Sequence, residues 1–234
     1  MKIFHTIKSR FRDINTKENV WLSEKYNNHI KKKLKSRINH NHFFSILNIL
    51  IFFLKKKEII TLDYGGGAGE YFYKLYFNNQ TNNKIIIYDN PIITNIGKKI
   101  NKFSNLKFIN NIKEIKYKKI NFLLFSSVAQ YIENLSSKIK EILHLKPDFI
   151  IFEDFHATEN KSFVTYQQFF EYKIPVKFHK IKNLQKFMKK NKYELIYKTS
   201  FLPLIKGEFK FYDMKNLPKK NRVNNTFTLI FKKF

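Results

Sequence analysis

Five short apolar runs recur along the chain from residue 58: "EIITLDY" (58–64), "NKIIIYD" (83–89), "NLKFINN" (105–111), "INFLLFSS" (120–127) and "DFIIFED" (148–154). They are rich in β-branched and aromatic residues and too short for helices. Stretches of helical character lie among them: "EYFYKLYF" (70–77), "PIITNIGKKINKF" (91–103) and the amphipathic "NLSSKIKEILHL" (134–145). Continuous apolar strands alternating with helices imply a mostly parallel sheet covered on both faces. Beyond residue 180 the pattern changes. A helix over 183–191, with Leu184, Phe187 and Met188 on one face, leads into "YELIYKTSF" (193–201). A loop-rich insert (202–224) then separates that run from "NTFTLIFKKF" (225–234). Two strands with no helix between them predict an antiparallel pair at the sheet edge. The expected fold is α/β and Rossmann-like, with seven strands.

Residues 1–57 read as a helical cap on this 58–234 domain, the whole forming one structural unit. "NVWLSEKYNNHIKKKLK" (19–35) sets Trp21, Tyr26, Ile30 and Leu34 near helical spacing. "FFSILNILIFFL" (43–54) follows. At 12 residues it falls short of the roughly 20 that a membrane span needs, and it reads as a buried core helix. The N-terminus shows no signal-peptide pattern, so a cytoplasmic protein is expected.

Four of the six glycines, Gly65, Gly66, Gly67 and Gly69, crowd the turn after the first strand in "LDYGGGAGEYF". Glycine permits positive φ and close approach of a ligand to the backbone. A turn from a strand into a helix also aims free N–H groups at that ligand. A phosphate-binding P-loop requires Gly-Lys-Ser/Thr, but Glu70 and Tyr71 follow Gly69. A dinucleotide fingerprint requires a third glycine where Glu70 stands, an acid at the pyrophosphate position. S-adenosylmethionine carries a cation and no phosphate, and it tolerates the flanking Asp63 and Glu70. Asp89, 26 residues after Asp63 at the end of the second strand, is placed to accept hydrogen bonds from ribose hydroxyls. A plain tight turn and a solvated strand-end carboxylate are the alternatives. Asn110 and Asn111, just past the third strand, are candidates for the adenine edge.

The formal net charge is +27, which ordinarily suggests nucleic acid. Arginine, however, occurs only at Arg10, Arg12, Arg37 and Arg222. The lysine excess comes with Asn, Ile, Phe and Tyr, the residues of A/T-rich codons, so a low-GC genome accounts for it. Base readers favour arginine's planar fork. The charge still predicts a weak, salt-dependent attraction to anionic surfaces. The chain has no cysteine, which excludes disulfides, thiolate zinc sites and a thiol nucleophile.

On these motifs the chain resembles a family of bacterial methyltransferases encoded among genes for surface polysaccharides, over roughly residues 21–200. That family has an early tryptophan, then "LDFGGG-G" with an aromatic pair, where this chain has "LDYGGGAGEYF". It has an acid before a proline, here Asp89-Asn90-Pro91, a Gln-Tyr pair in "SSVAQYIEN", and "VT-Q" in "FVTYQQ". The chain departs from it in "EDFHATEN" after the fifth strand and in Asn191-Lys192-Tyr193, where the family tends to end its last helix in Gly-Tyr. The resemblance implies a class I S-adenosylmethionine-dependent methyltransferase acting on a sugar or glycan intermediate. A nucleic-acid methyltransferase and a non-catalytic cofactor-binding protein are the alternatives.

Methyl transfer to oxygen requires an aligned acceptor and a proton acceptor. In open α/β sheets such chemistry sits beyond the carboxyl ends of the strands. Ser126 and Ser127 after the fourth strand are candidate cofactor contacts. Gln130 and Tyr131, with Tyr166 and Gln167 on an expected loop or short helix, are candidate acceptor contacts. Glu153, Asp154 and His156 follow the fifth strand. His156 is the preferred general base, since an unperturbed imidazole titrates near working pH, with Asp154 beside it. No third ligand accompanies Asp154 and His156, so no metal is expected.

Overall fold

Every residue of the strands formed by the first and fifth apolar runs, Ile59–Tyr64 and Phe149–Phe155, is buried, and both lie inside one seven-stranded sheet. The computed structural model describes residues 4–16, 19–37, 46–54, 56–76, 83–169, 171–202, 204–205, 208–209 and 212–234. In chain order, the helices are α1 (Glu24–Arg37), α2 (Ile46–Leu54), α3 (Glu70–Tyr76), α4 (Pro91–Ile100), α5 (Leu135–Ile142) and α6 (Ile181–Lys190). The strands begin with β1 (Ile59–Tyr64), β2 (Asn83–Tyr88), β3 (Leu106–Ile109), β4 (Phe122–Ser126), β5 (Phe149–Phe155) and β6 (Ala157–Thr158). They continue with β7 (Phe163–Phe169), β8 (Tyr172–Lys180), β9 (Tyr193–Phe201), β10 (Leu204–Ile205), β11 (Glu208–Phe209) and β12 (Thr226–Lys233).

The strand order is β3-β2-β1-β4-β5-β12-β9. β1 pairs in parallel with β2 and β4, and β2 with β3. β12 runs antiparallel to both β5 and β9, as the unbroken strand pair in the sequence requires. The insert between β9 and β12 contains the two-residue strands β10 and β11 and a 3₁₀ turn at Lys219–Asn221.

The chain divides into two compact units. The first comprises Trp21–Leu124 with Leu145–Asp148. Here α4 begins at Pro91, behind Asn90, whose side chain accepts the Ile93 N–H at 3.1 Å. The apolar faces of α1 and α4 meet in a cluster of Ile30, Ala68, Tyr73, Ile93 and Ile96, with Tyr26 and Phe103 against it.

The second unit comprises Met1–Val20, Phe125–His144 and Phe149–Phe234. It contains a second sheet, β6-β8-β7. Tyr166, Gln167 and Gln168 therefore lie on a strand and not on the expected loop or short helix, because β7 and β8 pair over their full length as a hairpin. The expected helical cap over 1–57 is only partly helical. Phe4 and Lys8 instead bridge to Gln167 and Val164 of β7, and Trp21 lies in a 3₁₀ turn (Val20–Leu22) ahead of α1. Pairing with an open strand edge outcompetes a short isolated helix, whose nucleation is unfavourable.

The apolar run at 43–54 also departs from expectation. Its described part, α2, buries Leu47, Asn48 and Ile51 but leaves Phe52 67% and Phe53 71% exposed. A nine-residue helix packed on one side has an outer face whatever its composition. Residues 43–45 lie outside the described residues.

Candidate active site

In the first unit the glycine turn is shaped from below by Asp63 at the end of β1. Asp63 is 1% exposed, and a Cβ added at Gly66 would lie 2.5 Å from its Oδ2. Only glycine fits there. Gly65, Gly67 and Gly69 have φ of 70°, 62° and 93°, the left-handed region that glycine enters without cost. The Gly65 N–H donates to the Tyr88 carbonyl at 2.7 Å and so ties the turn to the end of β2.

Asp89, the next residue, closes this corner. Its Oδ2 accepts the Gly67 N–H at 2.9 Å, and its Oδ1 accepts the Asn90 N–H at 2.7 Å. Burial raises the carboxyl above its usual pKa, while these two N–H groups pull it back down. A Cβ at Gly67 would meet nothing within 4 Å, so the turn borders open space at that residue. Asn101 supports the turn from behind, donating to the carbonyls of Ala68 at 3.0 Å and Gly97 at 2.8 Å and accepting from the Tyr73 hydroxyl. Nothing in so asparagine-rich a sequence singles Asn101 out. Asn110 is exposed past β3, and Asn111 caps the turn that follows, accepting the Lys113 N–H at 3.0 Å.

In the second unit a buried carboxylate gathers hydroxyls. Asp154, 4% exposed, accepts from Thr226 Oγ1 at 2.7 Å, Ser127 Oγ at 3.0 Å and the Tyr212 hydroxyl at 3.2 Å. Burial raises its pKa to about 6, against the lowering effect of the three hydroxyls. Asp154 has φ 50° and Ser127 φ 53°, conformations that cost non-glycine residues about 1–3 kcal/mol each and cluster at functional sites. The Ser127 N–H donates to the Glu153 carbonyl at 2.9 Å, which holds this exposed residue with its hydroxyl on Asp154. Ser126 reaches the Glu153 carboxylate at 3.4 Å. Tyr212 and Thr226 escaped sequence reasoning because they stand 58 and 72 residues beyond Asp154 in a polar insert and an edge strand.

Tyr131 and Gln167 meet as a pair, the Gln167 amide donating to the tyrosine oxygen at 2.8 Å. Burial raises the Tyr131 hydroxyl to about 12. Tyr166, half-buried on the same strand, stacks on the His5 ring at 4.8 Å. Gln130 is 1% exposed, and its Oε1 has no hydrogen-bond partner among the described residues.

His156 is not the solvent-facing loop histidine that its sequence position suggests. It is 1% exposed and enclosed by Phe4, Phe178 and Tyr212, with ring centroids 5.1–5.6 Å away. Neither ring nitrogen has a hydrogen-bond partner among the described residues. Desolvation lowers its pKa from 6.5 to about 3, so the ring is neutral at any working pH and the expected titration near 6.5 is displaced. Among the described residues no cluster of three or more acidic or histidine side chains is set to hold a metal ion.

No protein-family model and no curated protein matches the sequence. Solved structures do share its fold. A SAM-dependent methyltransferase from Methanosarcina mazei superposes with a TM-score of 0.54 over 79% of this chain and 97% of its own, at 13% identity. Magnesium protoporphyrin IX methyltransferase from Synechocystis, with bound SAH, gives 0.54 over 81% and 80% at 11% identity. A Burkholderia thailandensis 1,6-didemethyltoxoflavin-N1-methyltransferase, with its acceptor and S-adenosylhomocysteine bound, gives 0.51 over 92% of each chain at 8% identity. The architecture is thus that of the class I methyltransferases, whose members act on different acceptors.

Proposed function

We propose that the protein is an S-adenosylmethionine-dependent methyltransferase that O-methylates a sugar or glycan intermediate. One observation carries the cofactor assignment. Three left-handed glycines and the Asp89 carboxylate, joined by the Gly67 N–H, gather at the carboxyl ends of β1 and β2, with open space beside Gly67. Among the described residues, neither the turn (63–71) nor the Asp89-Asn90-Pro91 corner carries a lysine or arginine, which suits a ligand with a sulfonium and ribose hydroxyls better than one with phosphates. Gly65, Gly66, Gly67 and Gly69 would hold the cofactor from the backbone side, with Asp89 accepting from its ribose and Asn110 near its base. Asp63 shapes the turn beneath. Bound there, S-adenosylmethionine supplies an electrophilic methyl group.

The proton acceptor in this reading is Asp154, working through Ser127. Ser127 is exposed, and its hydroxyl already donates to the carboxylate. An acceptor hydroxyl gives its proton to Ser127 Oγ as Ser127 passes its own to Asp154 Oδ2. Thr226 and Tyr212 keep the carboxylate oriented. Gln130, with its unpartnered buried oxygen, and the Tyr131–Gln167 pair offer hydrogen bonds of the kind a polyhydroxyl acceptor needs. Together with the surface-polysaccharide resemblance, this supports a sugar.

Calorimetry with S-adenosylmethionine, paired with transfer of a labelled methyl group to a panel of nucleotide sugars and lipid-linked sugars, tests both halves. Asp89→Ala is expected to weaken cofactor binding by about 1.5–3 kcal/mol. Asp154→Asn is expected to lose about 10²–10⁴-fold in kcat with cofactor affinity intact. Absence of cofactor binding by the native protein overturns the first half, and full turnover in Asp154→Asn overturns the second.

A further inference from the structure

The outer face of α2 inverts the usual order of a surface helix. Ile49, Phe52 and Phe53, spaced i, i+3 and i+4, are 43%, 67% and 71% exposed, whereas the helix's single polar residue, Asn48, is buried. The two phenylalanine rings pack edge to face, 5.7 Å apart, as one apolar knob. Basic residues follow at once. Lys56 lies two positions past the helix, Lys57 is exposed, and Lys56 and Lys119 share the one carboxylate of Asp148, at 3.0 and 2.6 Å. Two of these lysines thus face a single carboxylate, while Glu58, next to Lys57, is paired with Lys84.

We propose that α2 and the lysines at its C-terminal end dock the protein on the surface of an anionic lipid membrane. The aromatic knob enters the boundary between headgroups and acyl chains, and the lysines stay among the lipid phosphates. The nine-residue helix lies on the membrane, and no helix among the described residues is long and apolar enough to cross one. The +27 net charge draws the chain toward such a surface before contact. A second copy of the chain fits the face less well. Ile49, Phe52 and Phe53 together expose roughly 300–400 Å², against about 800 Å² per partner in a stable interface. Docking through α2 requires no methyl transfer.

Cosedimentation with vesicles tests it, using phosphatidylglycerol and phosphatidylcholine in equal parts against phosphatidylcholine alone. The native protein is expected to bind the anionic vesicles, less so as salt rises, and to leave the zwitterionic ones in suspension. Phe52→Ser/Phe53→Ser removes two side chains from the apolar phase and is expected to weaken partitioning about 100-fold. Each of Lys57→Gln and Lys119→Gln is expected to cost about 5-fold. These side chains point outward, so circular-dichroism melts should match the native protein. As a second readout, the emission of a Phe53→Trp variant should shift to the blue with anionic vesicles only. Native protein that fails to sediment with anionic vesicles overturns the proposal. So does native-like binding by the double phenylalanine variant, or a native dimer that this variant converts to a monomer without either form binding lipid.

Discussion

Replacing His156 by phenylalanine separates a buried polar group kept for function from ordinary core packing. The ring sits among Phe4, Phe178 and Tyr212 with both nitrogens unpartnered, so a phenyl ring suits the site chemically. At pH 7 the relief of unsatisfied polar atoms, about 1–3 kcal/mol, opposes a comparable cost of overpacking by the larger ring. The two proteins should then melt at similar temperatures. The difference appears on acidification. His156 titrates near 6.5 in the unfolded chain and at about 3 when folded, so between those values the unfolded chain holds more protons. Acid therefore favours unfolding, by about 2 kcal/mol at pH 5 from this one residue. His179, also lowered to about 3, chiefly by burial, adds its own acid sensitivity to both proteins, with the His156 charge only the last of its causes, and so largely cancels in the comparison. Asp154 acts in the opposite direction. Its raised pKa means that stability falls as pH rises from 3.8 to about 6, and this too is common to both proteins. His156→Phe should thus outlast the native protein at pH 5 by about 4–8 °C in Tm, taking 2–4 °C per kcal/mol for a chain of this size. Scanning calorimetry at pH 7 and pH 5 measures it. An unchanged Tm gap between the two pH values would show that His156 titrates normally and refute the reasoning.

Three other outcomes follow from the geometry. Gly66→Ala should destabilise by about 1–3 kcal/mol by driving a methyl group into Asp63, whereas Gly67→Ala should cost about 1–2 kcal/mol through its positive φ alone. Urea denaturation distinguishes them, and equal losses with no backbone shift in either would contradict the packing beneath the turn. Phe4→Ala should lose about 3–5 kcal/mol, because Phe4 is fully buried against His156, Phe178 and Tyr212, and a surface-like loss below 1 kcal/mol would mean that residues 4–8 are not held on β7. Thr226→Val removes the 2.7 Å bond to Asp154, so the acidic limb of the methyl-transfer pH profile, expected near pH 6, should move to higher pH; a limb that stays in place would dissociate it from Asp154.

What the sequence determined by itself was whatever neighbouring residues decide. Runs such as "IITLDY" and "DFIIFED" are largely apolar because both faces of a central strand are covered, and that pattern carried the mostly parallel sheet and its antiparallel edge, though not the strand order. The glycine turn was legible for a similar reason. Left-handed backbone at Gly65, Gly67 and Gly69 and the tight fit of Gly66 on Asp63 are local demands that only glycine meets. Asp89 could be read from its distance to that turn, one strand-helix-strand unit along the chain. Tertiary structure alone decided the surroundings of the remaining groups. Asp154 finds Tyr212 and Thr226 only when β12 returns beside β5, and no local pattern records that meeting. His156 reads as a loop base in sequence, yet Phe4, 152 residues earlier, encloses it and lowers its pKa. The run containing Phe52 and Phe53 reads as core, yet packing on one side leaves both outside. Secondary structure follows from short-range sterics and periodicity, whereas burial, protonation and partner choice depend on segments that folding brings together from far apart in the chain.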